Sequence, residues 1–470
     1  MKAARILLLV IILPFHAFAQ NWQDTTKLID EIFTRYRSDR PGCQLAITRY
    51  GKIIYSRAWG LSDLEHATPL STSSIIEAGS VSKQFTAAAI LLLQAEGKLS
   101  LDDDIRKYLP EIPDYGKTIT LQHLIHHTSG IKDWGSLMAF SDWPRGTKLY
   151  SNDDVLRIMS KQRSLNHTPG AEFLYSNTNY VLLAIIVQRV SGQTLAEFTT
   201  QRIFGPAQMK VTQWRNDIRH IVPGRAIAYS KEGEAYFTDM PYENVYGNGG
   251  LLTTAEDLLK WNDYYTHAKV NGSSFLKEQL DTIPLNNGLP NNYAAGLRLV
   301  NINGYKGIVH DGATAAYRSV LEYYPEPELG IAWLANTSEF DEKGDGLNEL
   351  RNLLLRDRTK NDYMAATPKE KRTNTEHPGN RNMDLTPYVG NYTSSEVESS
   401  LEIFLSDKVL KIKRIKGDIF RLQPVSENEF QIENSRVKVV FEKNARGKVL
   451  RLKFSSPKVR NVCFEKLYNT

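Results

Sequence analysis

The chain has 470 residues, 41% apolar and 24% charged, with a formal net charge of +5. That length accommodates two or three domains, and the balance is that of an ordinary globular protein. So small a net charge, with no basic-aromatic motif beside it, excludes a dedicated nucleic-acid surface.

Residues 1–19 read as a secretory signal. Lys2 and Arg5 form the positive start, residues 6–14 the apolar stretch, and Ala17-Phe18-Ala19 the small-residue cleavage pattern. The apolar run is too short to span a bilayer, and no later stretch approaches that length. The expected mature chain begins near Gln20 and is exported, to the periplasm or medium of a bacterium, with no stable membrane span after cleavage. Only Cys43 and Cys463 are present. Export permits a bridge between them, but two separate thiols are the commoner arrangement.

Residues 22–37 place Leu28, Ile29, Ile32, Phe33 and Tyr36 on one helical face. Residues 43–50 and 53–58 flank Gly51-Lys52 and predict a hairpin. Next comes the stretch from Glu77 to Leu93, in which Ser80 heads an almost wholly apolar run and Lys83 follows three residues later. The run predicts a buried helix stopped near Gly97. Residues 120–127 predict a short helix ended by Ser129-Gly130. The section 131–275 reads as mostly helical, with a strongly apolar helix at 180–190 and a capped helix at 253–265. Strands return at 294–300, 307–310, 319–324 and 330–336, and a helix closes at 347–355.

This order predicts an α+β fold. One antiparallel sheet is assembled from the first and last parts of the domain, is flanked by helices, and carries an all-helical insertion. Residues 357–382 are rich in Lys, Arg, Thr, Asn and Pro and read as a linker. From 383 to 470 the pattern becomes short alternating strands: Leu410 and Ile412 alternate with Lys411 and Lys413, and Leu450, Leu452 and Phe454 with Arg451 and Lys453. That predicts a small all-β domain, a barrel or a sandwich. The expected organisation is therefore signal 1–19, main domain 20–356, linker 357–382 and β domain 383–470.

Several stretches carry chemistry. A serine at a helix N-terminus meets free N–H groups, and a lysine one turn on shares its face. Forced into an apolar core, that lysine loses its proton more easily and can activate the serine. Ser-x-x-Lys alone is weak evidence, since it recurs at Ser129/Lys132, Ser274/Lys277, Ser435/Lys438 and Ser455/Lys458. Further on, Tyr175-Ser176-Asn177 precedes the apolar helix at 180, and His310-Asp311-Gly312-Ala313 ends a late strand. A second reading takes His123, His126 and His127, spaced i, i+3, i+4, as zinc ligands, although the glutamate of a His-Glu-x-x-His site is missing.

Taken together, Ser80-x-x-Lys83, Tyr175-x-Asn177 and His310-x-Gly312 resemble the serine β-lactamase and penicillin-binding-protein superfamily. The Tyr-Ser-Asn form is similar to the class C branch, with its esterases, D-aminopeptidases and D-alanyl-D-alanine carboxypeptidases. The stretches 41–47, 248–254 and 330–336 are of the same type, so the resemblance covers about residues 25–356. It implies a β-lactamase-like fold and an acyl-enzyme mechanism without metal or other cofactor. Ser80 would be the nucleophile, Lys83 its activator and Tyr175 the proton shuttle. Asn177, His310, Gly312 and Ala313 would bind substrate, the N–H groups of Ser80 and Ala313 forming the oxyanion hole. Substrates would be small molecules or peptide-like amides and esters, cell-wall fragments among them. The third motif departs from Lys-Thr-Gly, and losing that fixed charge favours an esterase or peptidase over an efficient β-lactamase. The non-enzymatic alternative is a penicillin- or peptidoglycan-binding protein with little or no turnover.

Overall fold

The computed structural model describes residues 13–267, 269–341, 344–355, 383–414 and 417–468. The first twelve residues of the expected signal, and the whole expected linker, lie outside the described residues. The helix α1 (Leu13–Phe33) takes in the expected cleavage pattern and runs on through the amphipathic segment. Strands β1 (Cys43–Arg49) and β2 (Lys52–Trp59) form the predicted hairpin, with Gly51 at φ +70° in its turn. Two short strands, β3 (Leu61–Asp63) and β4 (Thr68–Pro69), pair with each other. Strand β5 (Ile76–Glu77) leads into a 3-10 turn at Gly79–Ser82 and then into α2 (Lys83–Ala95).

The middle section holds α3 (Leu121–Ile125), α4 (Trp134–Met138), α5 (Asn152–Ser160), α6 (Asn177–Ser191) and α7 (Leu195–Thr199). It is not all helical. Strand β6 (Gln213–Trp214) and the hairpin β7 (Tyr229–Glu232) and β8 (Ala235–Thr238) interrupt it, as does β9 (Leu251–Thr253). The hairpin was hidden because only Tyr229 of its eight strand residues is buried, so no alternating apolar face marks it. Strand β9 pairs with both β5 and β6, which brings the 248–254 stretch beside Ser80. Helices α8 (Ala255–Thr266) and α9 (Ser273–Leu280) follow, the first capped by Thr254.

Strands β10 (Arg298–Ile302), β11 (Tyr305–Thr314), β12 (Tyr317–Tyr324) and β13 (Leu329–Ala335) complete an antiparallel sheet in the order β10-β11-β12-β13-β1-β2. The first and last parts of the domain thus share one sheet. Its two faces follow from side-chain alternation. Leu45, Ile47, Ile331 and Trp333 point to the side covered by Ile29 and Phe33 of α1 and by α10 (Leu347–Leu354). Ala46 pairs with Ala332 on the other face, in the core that holds Leu258 and Leu259 of α8. Gly330 is part of that fit: a Cβ there would sit 2.4 Å from Thr48 Oγ1 and 3.0 Å from Leu259 Cδ2.

The tail is a closed eight-stranded barrel, not a sandwich. Its strands are β14 (Gly390–Ser394), β15 (Ser399–Ser406), β16 (Val409–Arg414), β17 (Ile419–Pro424), β18 (Glu429–Ile432), β19 (Lys438–Lys443), β20 (Val449–Ser456) and β21 (Val459–Lys466). Leu452 and Phe454 point inward as expected, but Leu450 is exposed and Val449 takes its place. A register shift between Glu442 and Lys443 moves the inward phase by one residue there. Cys43 lies buried in β1 and Cys463 half-buried in β21, both as free thiols. No single helix among the described residues is long and apolar enough to cross a membrane.

The barrel packs against the helical side of the main body. Phe140 stacks on Phe454 with ring centroids 5.2 Å apart. Lys132 and Glu396 form an ion pair at 2.9 Å with side chains 0% and 2% exposed. Gln162 donates to the Glu396 carbonyl, which fixes the turn carrying the acid. Breaking a pair this buried leaves one charge unmatched, at a cost of about 3–5 kcal/mol. Glu396→Ala should therefore lower stability by that order in a denaturant melt. The double replacement Lys132→Met with Glu396→Leu should recover most of the loss, because it removes both charges at once. A single replacement costing less than about 1 kcal/mol would mean this ion pair does not help to hold the two bodies together.

Candidate active site

The site forms where α2, α6 and β11 converge. Gly79 adopts φ +48° and turns the chain so that Ser80 starts the 3-10 segment feeding α2. Strand β11 passes so close that a Cβ on Gly79 would fall 2.8 Å from the Ala313 nitrogen. A Cβ on Gly312 would fall 2.2 Å from Ala78 O and 3.0 Å from Ser80 N. Only glycine fits at either position, and together they lay the Ser80 and Ala313 backbones side by side.

Lys83 is wholly buried at the first turn of α2. Its Nζ donates to Ser80 Oγ at 3.0 Å, to Asn177 Oδ1 at 3.0 Å and to the Asn248 carbonyl. Burial holds its pKa well below the ordinary lysine value, with the Asp133 carboxylate opposing the shift. Tyr175 lies in the irregular segment just before α6, and Lys83 Nζ is 4.9 Å from its ring centroid. Burial raises the Tyr175 pKa, and a hydrogen bond with Ser80 works against that rise. Asn177 opens α6, its N–H held by Asp133 Oδ2 at 2.8 Å. Ser80, Lys83, Tyr175 and Asn177 therefore lie together, with Gly312 and Ala313 along one side.

His310 backs the site instead of offering it a free polar edge. It is 1% exposed. Its Nε2 meets the Tyr293 hydroxyl at 2.9 Å and its Nδ1 the Asp311 carbonyl at 2.6 Å. Burial, reinforced by the nearby Lys83, lowers its pKa to about 3. The ring is neutral throughout the physiological range.

The three clustered histidines do not make a zinc site. Helix α3 ends at Ile125 and His127 turns to φ +57°, so they do not share a helix face. Each has other work: His123 caps α3 with Thr120, His126 bonds the Tyr293 carbonyl, and His127 accepts from the Ser176 N–H. The His127 ring packs 4.2 Å from that of Tyr175 and so supports it from below. Sequence reasoning quoted the 248–254 stretch without a role, and passed over Tyr293 and Asp133 altogether. Neither of the last two sits in a patterned motif.

Buried histidines make the fold acid-sensitive. His310, His127 and His126 all have folded pKa values depressed by burial. Their stability contribution is complete above the unfolded value near ~6.5 and is lost as pH falls below it, because the unfolded chain then binds protons the folded one refuses. Melting temperature should fall progressively below about pH 6.5, on top of the rise with pH that the depressed Lys83 pKa adds above neutrality. His310→Asn should make that acid drop shallower, with His127 and His126 still contributing. An unchanged acid slope in the variant would mean that His310 is not held neutral.

A sequence profile of the Beta-lactamase family matches residues 27–356, more than half the chain. The chain belongs to the β-lactamase family. A penicillin-binding protein of Bacillus subtilis (strain 168) is 29% identical over 305 residues, 62% of this chain and 66% of the relative. Protein flp of Staphylococcus aureus (strain N315) is 29% identical over 324 residues, 67% of this chain and 63% of the relative. The match thus spans just under two thirds of the length of these relatives. Among solved structures, the octameric penicillin-binding protein homologue of Pyrococcus abyssi shares the fold at a TM-score of 0.61 and 22% identity. That likeness covers 94% of this chain and 99% of the other. D-amino acid amidase of Ochrobactrum anthropi shares it at a TM-score of 0.60 and 20% identity over 70% of this chain and 98% of its own. The first likeness covers both the sheet-and-helix body and the barrel of this β-lactamase family protein.

Proposed function

We propose that this protein is an exported serine hydrolase that forms an acyl-enzyme at Ser80 from ester or peptide-like amide substrates. One observation carries the reading: Lys83, wholly buried, places its amine 3.0 Å from Ser80 Oγ. A lysine stripped of water holds its proton weakly; once neutral, its two N–H groups serve Asn177 and Asn248 and its lone pair faces Ser80, so it takes the Ser80 proton as Oγ attacks the carbonyl. The raised Tyr175 pKa divides the labour. Tyr175 rests as a phenol, so it donates its proton to the leaving group and regains one from the Lys83 ammonium, which restores both groups before deacylation. In deacylation the same phenol relays the proton as Lys83 draws on the attacking water. The N–H groups of Ser80 and Ala313 meet the developing oxyanion. Asn177 spends its oxygen on Lys83, which leaves its amide NH2 for the substrate carbonyl.

Substrate choice follows from His310. Being neutral and buried, it gives a rigid β-lactam carboxylate no cation at the β11 edge. Losing one charge-assisted contact is worth about 1.5–3 kcal/mol, roughly tenfold to a hundredfold in kcat/KM. Activated short-chain esters and peptide-like amides should therefore be turned over better than a chromogenic cephalosporin. The check is kcat/KM for that cephalosporin beside an activated acetyl ester. A cephalosporin value of about 10⁷–10⁸ M⁻¹s⁻¹ with negligible esterase activity would overturn the substrate assignment. Binding of either compound without turnover would support a binding protein instead.

A further inference from the structure

The barrel sends one cation into the neighbourhood of the proposed active site. The turn joining β20 and β21 carries Lys458, whose Nζ lies 5.6 Å from the ring centroid of Tyr175. Its charge also reaches Lys83, where it works in the same direction as burial. The turn is fixed from two sides. Asn166 donates to the Lys458 carbonyl at 3.1 Å and accepts from the Arg460 N–H at 2.7 Å. Arg460 then grips Glu172, three residues before Tyr175, with bonds of 3.0 and 2.8 Å. The Lys458 side chain remains exposed and makes no ion pair among the described residues. Other cations near the site are already matched: Arg298, whose charge reaches Tyr175, pairs with Asp311 at 2.9 Å, and Arg145 pairs with Glu243 at 2.5 Å.

We infer that Lys458 is a specificity-determining residue that receives a substrate carboxylate. It supplies, from the second domain and at the Tyr175 wall, the charge that His310 does not supply at the β11 edge. The favoured substrate is then a flexible, linear acyl-peptide or ester with a free carboxylate, which can swing toward Lys458. The inference rests on the reading of the Ser80 cleft as a substrate site, and the binding arm of its test does not require turnover.

The test uses the full-length Ser80→Ala protein and a ligand-observed NMR titration. The probes are N-acetyl-D-alanyl-D-alanine and its C-terminal amide, with and without Lys458→Gln. The carboxylate form should bind about fivefold to tenfold tighter than the amide, and added salt should narrow the gap. Lys458→Gln should abolish that preference and Lys458→Arg should keep it. Equal affinities for the two forms, no binding of the acid, or a preference that survives Lys458→Gln would each overturn the proposal. So would a Lys458→Gln enzyme whose pH profile shifts identically for charged and neutral substrates, since that marks electrostatic tuning alone. Preference in binding without any hydrolysis by the unmutated protein would remove the hydrolase reading and leave this one standing.

Discussion

Ser80→Ala should lower kcat/KM on an activated ester by at least about 10⁴-fold while leaving the thermal melt within a few degrees. The asymmetry follows from what the hydroxyl does in the resting protein. Ser80 Oγ accepts one hydrogen bond from Lys83, and Lys83 keeps its bonds to Asn177 and Asn248 when that oxygen is removed. Little packing is lost, since alanine retains the Cβ. The close approach of Gly312 to the Ser80 nitrogen depends on backbone alone. Residual turnover within about tenfold of the unmutated enzyme would remove Ser80 from the role of nucleophile.

Tyr175→Phe is expected to reduce kcat by about 10²–10⁴-fold, the usual range for a positioned proton-transfer group. Phenylalanine keeps the ring against His127 and beneath Lys83, so the site's packing survives. Only the hydroxyl whose hydrogen bond with Ser80 opposes the rise in its pKa is deleted. A pre-steady-state measurement separates the steps: slow acylation shows as a lost burst, slow deacylation as an accumulated adduct. An unchanged kcat with altered KM would make Tyr175 a binding residue instead.

What was legible in the sequence is what depends on local pattern. Helices α2 and α6 are apolar on nearly every face, so their existence and burial follow from composition alone. The expected strand at 330–336 contains an unbroken apolar run, and the structure buries β13 on both faces. Ser80, Lys83, Tyr175 and Asn177 were legible only together, from the order of three motifs that resembles the family, since each spacing alone recurs without meaning elsewhere in the chain. Tyr293, Asp133 and Lys458 were not, because each acts through a contact far away in the chain. Lys458 illustrates this best: it shares a Ser-x-x-Lys spacing with Ser455 that carries no meaning in the barrel, and only the docking of that barrel brings it to Tyr175. His310 was legible as a residue but not as an environment. Its burial and its bond to Tyr293 Oη come from tertiary packing.

The most direct measurement is the mass of the protein after exposure to a slowly released acylating compound, followed by peptide mapping. The account predicts one covalent adduct per chain, confined to the peptide bearing Ser80 and absent from Ser80→Ala. Hydrolysis that proceeds with no adduct under any quench, or an adduct mapped to a different serine and retained in Ser80→Ala, would contradict it.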